Sequence, residues 1–79
     1  MNNYEDAILK RIVKAYLLHN GEASTRMIAN HIQSSKYGLK YEVNVRVLGR
    51  RMRRWALKPS NWFRVEYVEK GKTKWWRLV

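Results

Sequence analysis

The sequence predicts an α+β domain, three helices followed by a two-stranded β-hairpin, on the strength of three observations. Apolar residues recur at helical spacing in three separate stretches. A breaker, Lys58-Pro59-Ser60-Asn61, ends the third stretch and holds the only proline. Beyond it apolar and polar residues alternate with a period of two on either side of one glycine-containing turn.

Helix 1 is expected from about residue 4 to 19. Asn3 suits its N-cap, and Glu5 and Asp6 stand in the first turn, where the helix dipole favours acids. Ile8, Ile12 and Ala15 form the apolar stripe, with Leu9, Val13 and Tyr16 on its shoulders and Lys10, Arg11 and Lys14 opposite. Asn20-Gly21 stops it, since glycine accepts a left-handed conformation. Helix 2 opens at Ser24 or Thr25, shows Met27, Ile28, Ala29 and Ile32 to the core, and ends near Gln33. A linker from Ser34 to Leu39 follows, bending at Gly38. Helix 3 is expected from about Lys40 to Ala56. After the breaker, Phe63, Val65 and Tyr67 alternate with Arg64, Glu66 and Val68, a turn spans Glu69 to Lys72, and Thr73 to Val79 returns as the second strand. Trp75 and Trp76 must point to opposite faces, one ring into the core and the other outward.

At 79 residues the chain is one domain with a small core, and its lack of cysteine removes disulfides and Cys-based zinc sites. Seventeen Lys plus Arg against six Asp plus Glu give a formal charge of +11, a self-repulsion that a polyanionic partner would explain. Nucleic acid is the first candidate. No apolar run is long enough to span a bilayer, and the opening residues show no secretory signal, so a soluble, intracellular protein is expected.

Helix 3 carries the chemistry. At about 100° per residue, Tyr41, Val45, Leu48, Met52 and Trp55 fall in one stripe. Roughly opposite lie Val43, Arg46, Arg50 and Arg54, with Arg53 and Glu42 on one flank and Val47 on the other. Most charge runs are merely solvated faces, but this one is one-sided and rich in Arg, whose forked guanidinium matches guanine edges and phosphates. Arg46 and Arg50 are expected at base edges and Arg53 and Arg54 at phosphates, while Val43 and Val47 either meet thymine methyl groups or leave one of the pair packed under the wing. Lys36 and Tyr37 in the linker, and Arg26 near the start of helix 2, are further phosphate candidates.

Three helices followed by a hairpin, with the third helix the longest and most basic, resembles the winged helix-turn-helix fold along essentially the whole chain. Gly21 to Ile32, G-E-A-S-T-R-M-I-A-N-H-I, is similar to the family's short first strand feeding its second helix, and the hairpin is similar to its wing. The linker from Ser34 to Leu39 is longer than the family's usual turn. The resemblance implies a third helix in the major groove and a wing on the adjacent backbone or minor groove. By position it assigns base reading to Lys40, Val43, Asn44, Arg46, Val47 and Arg50, and wing contacts to Lys70, Lys72 and Lys74. It implies a sequence-specific double-stranded DNA-binding protein acting in transcription, similar in size and composition to small regulators of thermophilic archaea and their viruses. It would work in the cytoplasm, at a nucleoid or within an infected host. A non-specific architectural protein and a protein- or RNA-binding module of a larger complex share these features.

Other chemistries find little support. His19 and His31 have no acid cluster at ligand spacing, the serines lack a His/Asp partner, and no glycine-rich phosphate loop occurs, so neither enzyme activity nor a metal or cofactor is expected. The lysines of the hairpin also serve to protect a strand edge. Trp55 and Trp62 are expected in the core, leaving one of Trp75 and Trp76 as the exposed aromatic candidate for base stacking. Leu9, Tyr16, Leu17 and Leu18 exceed what one core face of helix 1 can use, so if two copies pair as a homodimer, helix 1 is the expected self-contact, the sequence leaving the oligomeric state open.

Overall fold

The computed structural model describes residues 3–40 and 42–79. The chain runs α1 (Asn3–Asn20), β1 (Glu22–Ser24), α2 (Thr25–Gln33), a 3-10 turn (Tyr37–Leu39), α3 (Val45–Leu57), β2 (Val65–Lys70) and β3 (Thr73–Leu78). It is an α+β fold of three α-helices on a three-stranded antiparallel sheet in the order β1-β3-β2. The cap expected at Asn3 and the stripe position expected of Tyr41 rest on parts of the chain outside the described residues and side chains.

α1 ends where Gly21 takes a φ of 82° and its amide donates to the Leu17 carbonyl at 2.8 Å. Its buried line is Leu9, Val13 and Leu17, one step around the helix from the expected Ile8-Ile12-Ala15 stripe; Ala15 is exposed. Both lines are apolar, and the one that wins is the one that α2 and the sheet cover. Lys10, expected in solvent, is half-buried over the rings of Trp55 and Phe63, with Nζ 5.7 and 5.8 Å from their centroids.

Ser24 caps α2, its hydroxyl accepting from the Met27 amide. Ile28, Ala29 and Ile32 enter the core as expected, but Met27 stays 37% exposed. The connection to α3 folds back on α2: a side chain at Gly38 would meet the Gln33 carbonyl oxygen at 1.9 Å, so this crossing needs glycine. The Gln33 side chain ties the connection down, donating to the Gly38 carbonyl and accepting from the Val43 amide, both at 2.8 Å.

α3 begins at Val45, five residues later than expected. Asn44 is its N-cap, accepting from the Arg46 and Val47 amides at 2.8 and 3.2 Å. Lys40, Val43 and Asn44 therefore precede the helix instead of lying along it. Leu48, Met52 and Trp55 are buried as the stripe requires, and Val45 is half-buried.

The hairpin starts two residues beyond the expected Phe63 and turns tightly at Gly71-Lys72. Gly71, at φ 63°, supplies the conformation that such a turn demands. Phe63, Val65 and Trp76 complete the core. Trp76 is the inward ring of the tryptophan pair, in the central strand, and donates to the buried Thr25 hydroxyl at 2.8 Å. Trp62 departs from expectation: it is 42% exposed, on the outside of the bend before β2, with Lys14 over its ring.

Candidate nucleic-acid interface

The helical rotation of α3 distributes its arginines over two flanks. From the buried line of Leu48, Met52 and Trp55, about 100° per residue carries Val45, Gly49, Arg53, Arg46 and Arg50 progressively around one side. That side looks toward the start of α2 and the tip of the hairpin. Between them lies a groove of about 530 Å³, lined by Thr25, Arg26, Val45, Arg46, Gly49, Arg50, Arg53, Lys72, Thr73 and Lys74. Six cations from three separate elements share it, and no acid lines it among the described residues. Positive charges so gathered repel one another without a bound anion, and the concave walls focus their field. The N-terminal end of α2, positive through its dipole, opens into the same space.

Strand parity decides which hairpin lysines contribute. Pairing of Tyr67 with Trp76 and Glu69 with Lys74 puts these four on the helix-facing side of the sheet. Lys70 falls on the other side, where it ion-pairs with Glu22 and lies 4.8 Å from the centroid of half-buried Trp75. Arg77 pairs with Glu66 on that same side. Of the three expected wing contacts, Lys72 and Lys74 line the groove, whereas Lys70 is engaged on the opposite face.

The remaining predicted site residues scatter. Arg54 and Val47 are exposed on the far flank of α3. Val43 is half-buried against the core, and the Asn44 amide oxygen is occupied with capping. Lys40 lines a separate pocket on the Val47 side, and Lys36 is exposed in the connection to α3. Thr25, Val45, Gly49 and Thr73 are groove residues that the sequence did not mark for the site. A Cβ added at Gly49 would meet only the Thr25 methyl at an ordinary 3.8 Å. Gly49→Ala is therefore expected to raise stability by about 0.5–1 kcal/mol in denaturant melts, because the helix interior gains a better helix former.

Arg51, next to Arg50, belongs to a different structure. Its guanidinium pairs with Glu5 at 3.4 Å, and the Tyr37 hydroxyl donates to the same carboxylate at 2.7 Å. Asp6 accepts from the Trp55 indole at 3.3 Å. This cluster fastens the start of α1 to α3 behind the groove. The Tyr37 hydrogen bond, helped by the Arg51 charge, holds the Glu5 carboxyl below its ordinary 4.5. Burial, with the Glu5 contact, pushes the Tyr37 phenol up to about 12. The Glu5 contribution to stability is present above the ordinary carboxylate value and lost as pH falls through the lowered one. That of Tyr37 is present below its ordinary 10.0 and lost as pH rises through about 12. Thermal melts across pH should accordingly show a weaker acid-limb dependence for Glu5→Gln than for the parent chain.

Among the described residues no group of His, Asp and Glu is placed to hold a metal ion, and no helix is long and apolar enough to cross a membrane. On α1, Leu9 and Leu17 are consumed by the core and Tyr16 stacks on His31 at 4.3 Å. Only Leu18, 67% exposed, is left of the set expected to pair two copies. No protein-family model, curated protein or solved structure matches the chain.

Proposed function

We propose that this chain is a winged-helix protein that binds double-stranded DNA sequence-specifically as a small transcriptional regulator. α3 would lie in the major groove, with the hairpin as a wing along the neighbouring backbone. The supporting observation is the convergence of Arg26, Arg46, Arg50, Arg53, Lys72 and Lys74 on one groove with no acid among its described lining residues. α3 has 13 residues, about 20 Å of helix, and its outer side chains Arg46, Val47, Arg50 and Arg54 are exposed. A major groove about 12 Å wide admits such a helix, and arginines there reach guanine edges in pairs of hydrogen bonds. The surplus charge of +11 supplies electrostatic capture before any base is read.

Binding of duplexes from a randomised pool, followed by titration of selected and unselected duplexes across a salt series, tests the reading. Neutralising about six phosphates predicts a slope of log K against log salt near about −5. Enrichment of a defined motif supports sequence reading. Equal affinity for every duplex would make the protein an architectural one, and absence of duplex binding at low ionic strength would end the proposal.

A further inference from the structure

Beside the cationic groove a second pocket of about 340 Å³ opens between the end of α3 and the hairpin, lined by Arg53, Ala56, Leu57, Tyr67, Lys74 and Trp76. Arg53 and Lys74 line both spaces, so groove and pocket form one continuous track. The first is cationic, the second mostly apolar with two cations in its lining. Tyr67 is 45% exposed and Leu57 77% exposed, an uncovered apolar pair beside the buried Val65 and Trp76 of the same sheet face. The Tyr67 ring is held edge-on to Trp76, with centroids 5.5 Å apart and planes at 66°. Trp76 in turn is fixed by its bond to Thr25. Tyr67 is thus an aromatic ring on a rigid support, next to side chains suited to phosphate.

We propose that this pocket takes an unpaired nucleobase, stacked on Tyr67 and bounded by Leu57, while Arg53 and Lys74 hold the phosphates on either side of it. The ligand class that fits the whole track is a duplex with unpaired nucleotides at its end or in a bulge. Every base offers a π-face, so the stacking is indifferent to sequence. A base within an intact duplex must first be unstacked and unpaired, whereas one at a junction is already free, and this difference creates the preference. The inference rests on the nucleic-acid reading of the groove and adds to it an aromatic site at the end of α3 that shares Arg53 and Lys74 with the groove.

The test compares a blunt duplex with the same duplex carrying a short single-stranded extension, using fluorescence anisotropy on the full chain and on Tyr67→Ala, Tyr67→Phe and Leu57→Ser. The parent should favour the extended duplex by about tenfold, the effect of one stacked base. Tyr67→Ala should abolish that preference while leaving blunt-duplex affinity in place, and Tyr67→Phe should keep it. A 2-aminopurine at the first unpaired position should be quenched by the parent and not by Tyr67→Ala. Leu57→Ser, an exposed helical position, should weaken the preference if Tyr67→Ala proves unstable. Equal binding of both duplexes by the parent, or a preference untouched by Tyr67→Ala and Leu57→Ser, overturns the base pocket yet leaves the groove reading intact. Failure to bind either duplex overturns both.

Discussion

Replacing Trp76 by Ala is expected to remove about 3–5 kcal/mol of stability, enough to leave the chain largely unfolded at ordinary temperature. Trp76 is 2% exposed and stands in β3, the central strand, so its ring meets both halves of the fold. On the sheet it faces Ala23 on one side and Tyr67 on the other. Across the core its indole N–H binds the Thr25 hydroxyl, which Ala would leave buried and unpartnered at a further cost of about 1 kcal/mol or more. A domain this small has little reserve, total stabilities usually being about 5–15 kcal/mol. Trp76→Phe separates the contributions, keeping most of the bulk while losing the hydrogen bond, and should cost about 1–3 kcal/mol. Its neighbour Trp75 lies on the outer face under Lys70, and Trp75→Ala should cost clearly less. Urea melts monitored by circular dichroism would decide the matter; equal losses at the two positions would refute the assignment of Trp76 as the ring that joins sheet to helices.

That contrast shows what the sequence could and could not supply. Adjacent residues in a strand must face opposite ways, so one inward tryptophan was legible; which one depends on the register with β2, and hence on where the turn closes. The same register separates Lys74 from Lys70, a distinction invisible in a list of hairpin lysines. The order of helices and hairpin was readable because Asn20-Gly21 and Lys58-Pro59 are strong local breaks and the apolar periods between them differ. The start of α3 was not, because Tyr41 continues the helical stripe formally while Asn44, a good cap residue, sits in its midst. The helical period runs through Asn44 without a break, whereas the backbone starts its helix at that cap. For α1 two apolar lines of comparable quality lie one step apart, and only the neighbours decide between them. Trp62 is apolar enough for a core, yet the bend at Asn61-Trp62 leaves it outside with Lys14 as its cover.

Arg50 and Arg51 are chemically identical neighbours, and their replacements by Ala are expected to fail in opposite ways. About 100° of helical rotation puts Arg50 in the groove with Arg46, while Arg51 turns back toward Glu5 and Tyr37. If α3 reads base edges, Arg46→Ala and Arg50→Ala should each cost about 1–3 kcal/mol on the preferred sequence and less on unrelated duplexes, with folding unchanged. Lys72→Ala, at the hairpin tip, should weaken all duplexes alike and make the salt slope shallower by about one, the mark of a single lost phosphate contact. Arg51→Ala should do neither. It strips Glu5 of a charged partner in a half-buried cluster, at about 1–3 kcal/mol of stability, and leaves affinity per folded molecule where it was. Paired melts and duplex titrations on these four variants place each arginine by the quantity it moves. A loss of affinity in Arg51→Ala matching that in Arg50→Ala would mean that the charge of α3 acts as a diffuse cloud, with no directed face to read a sequence.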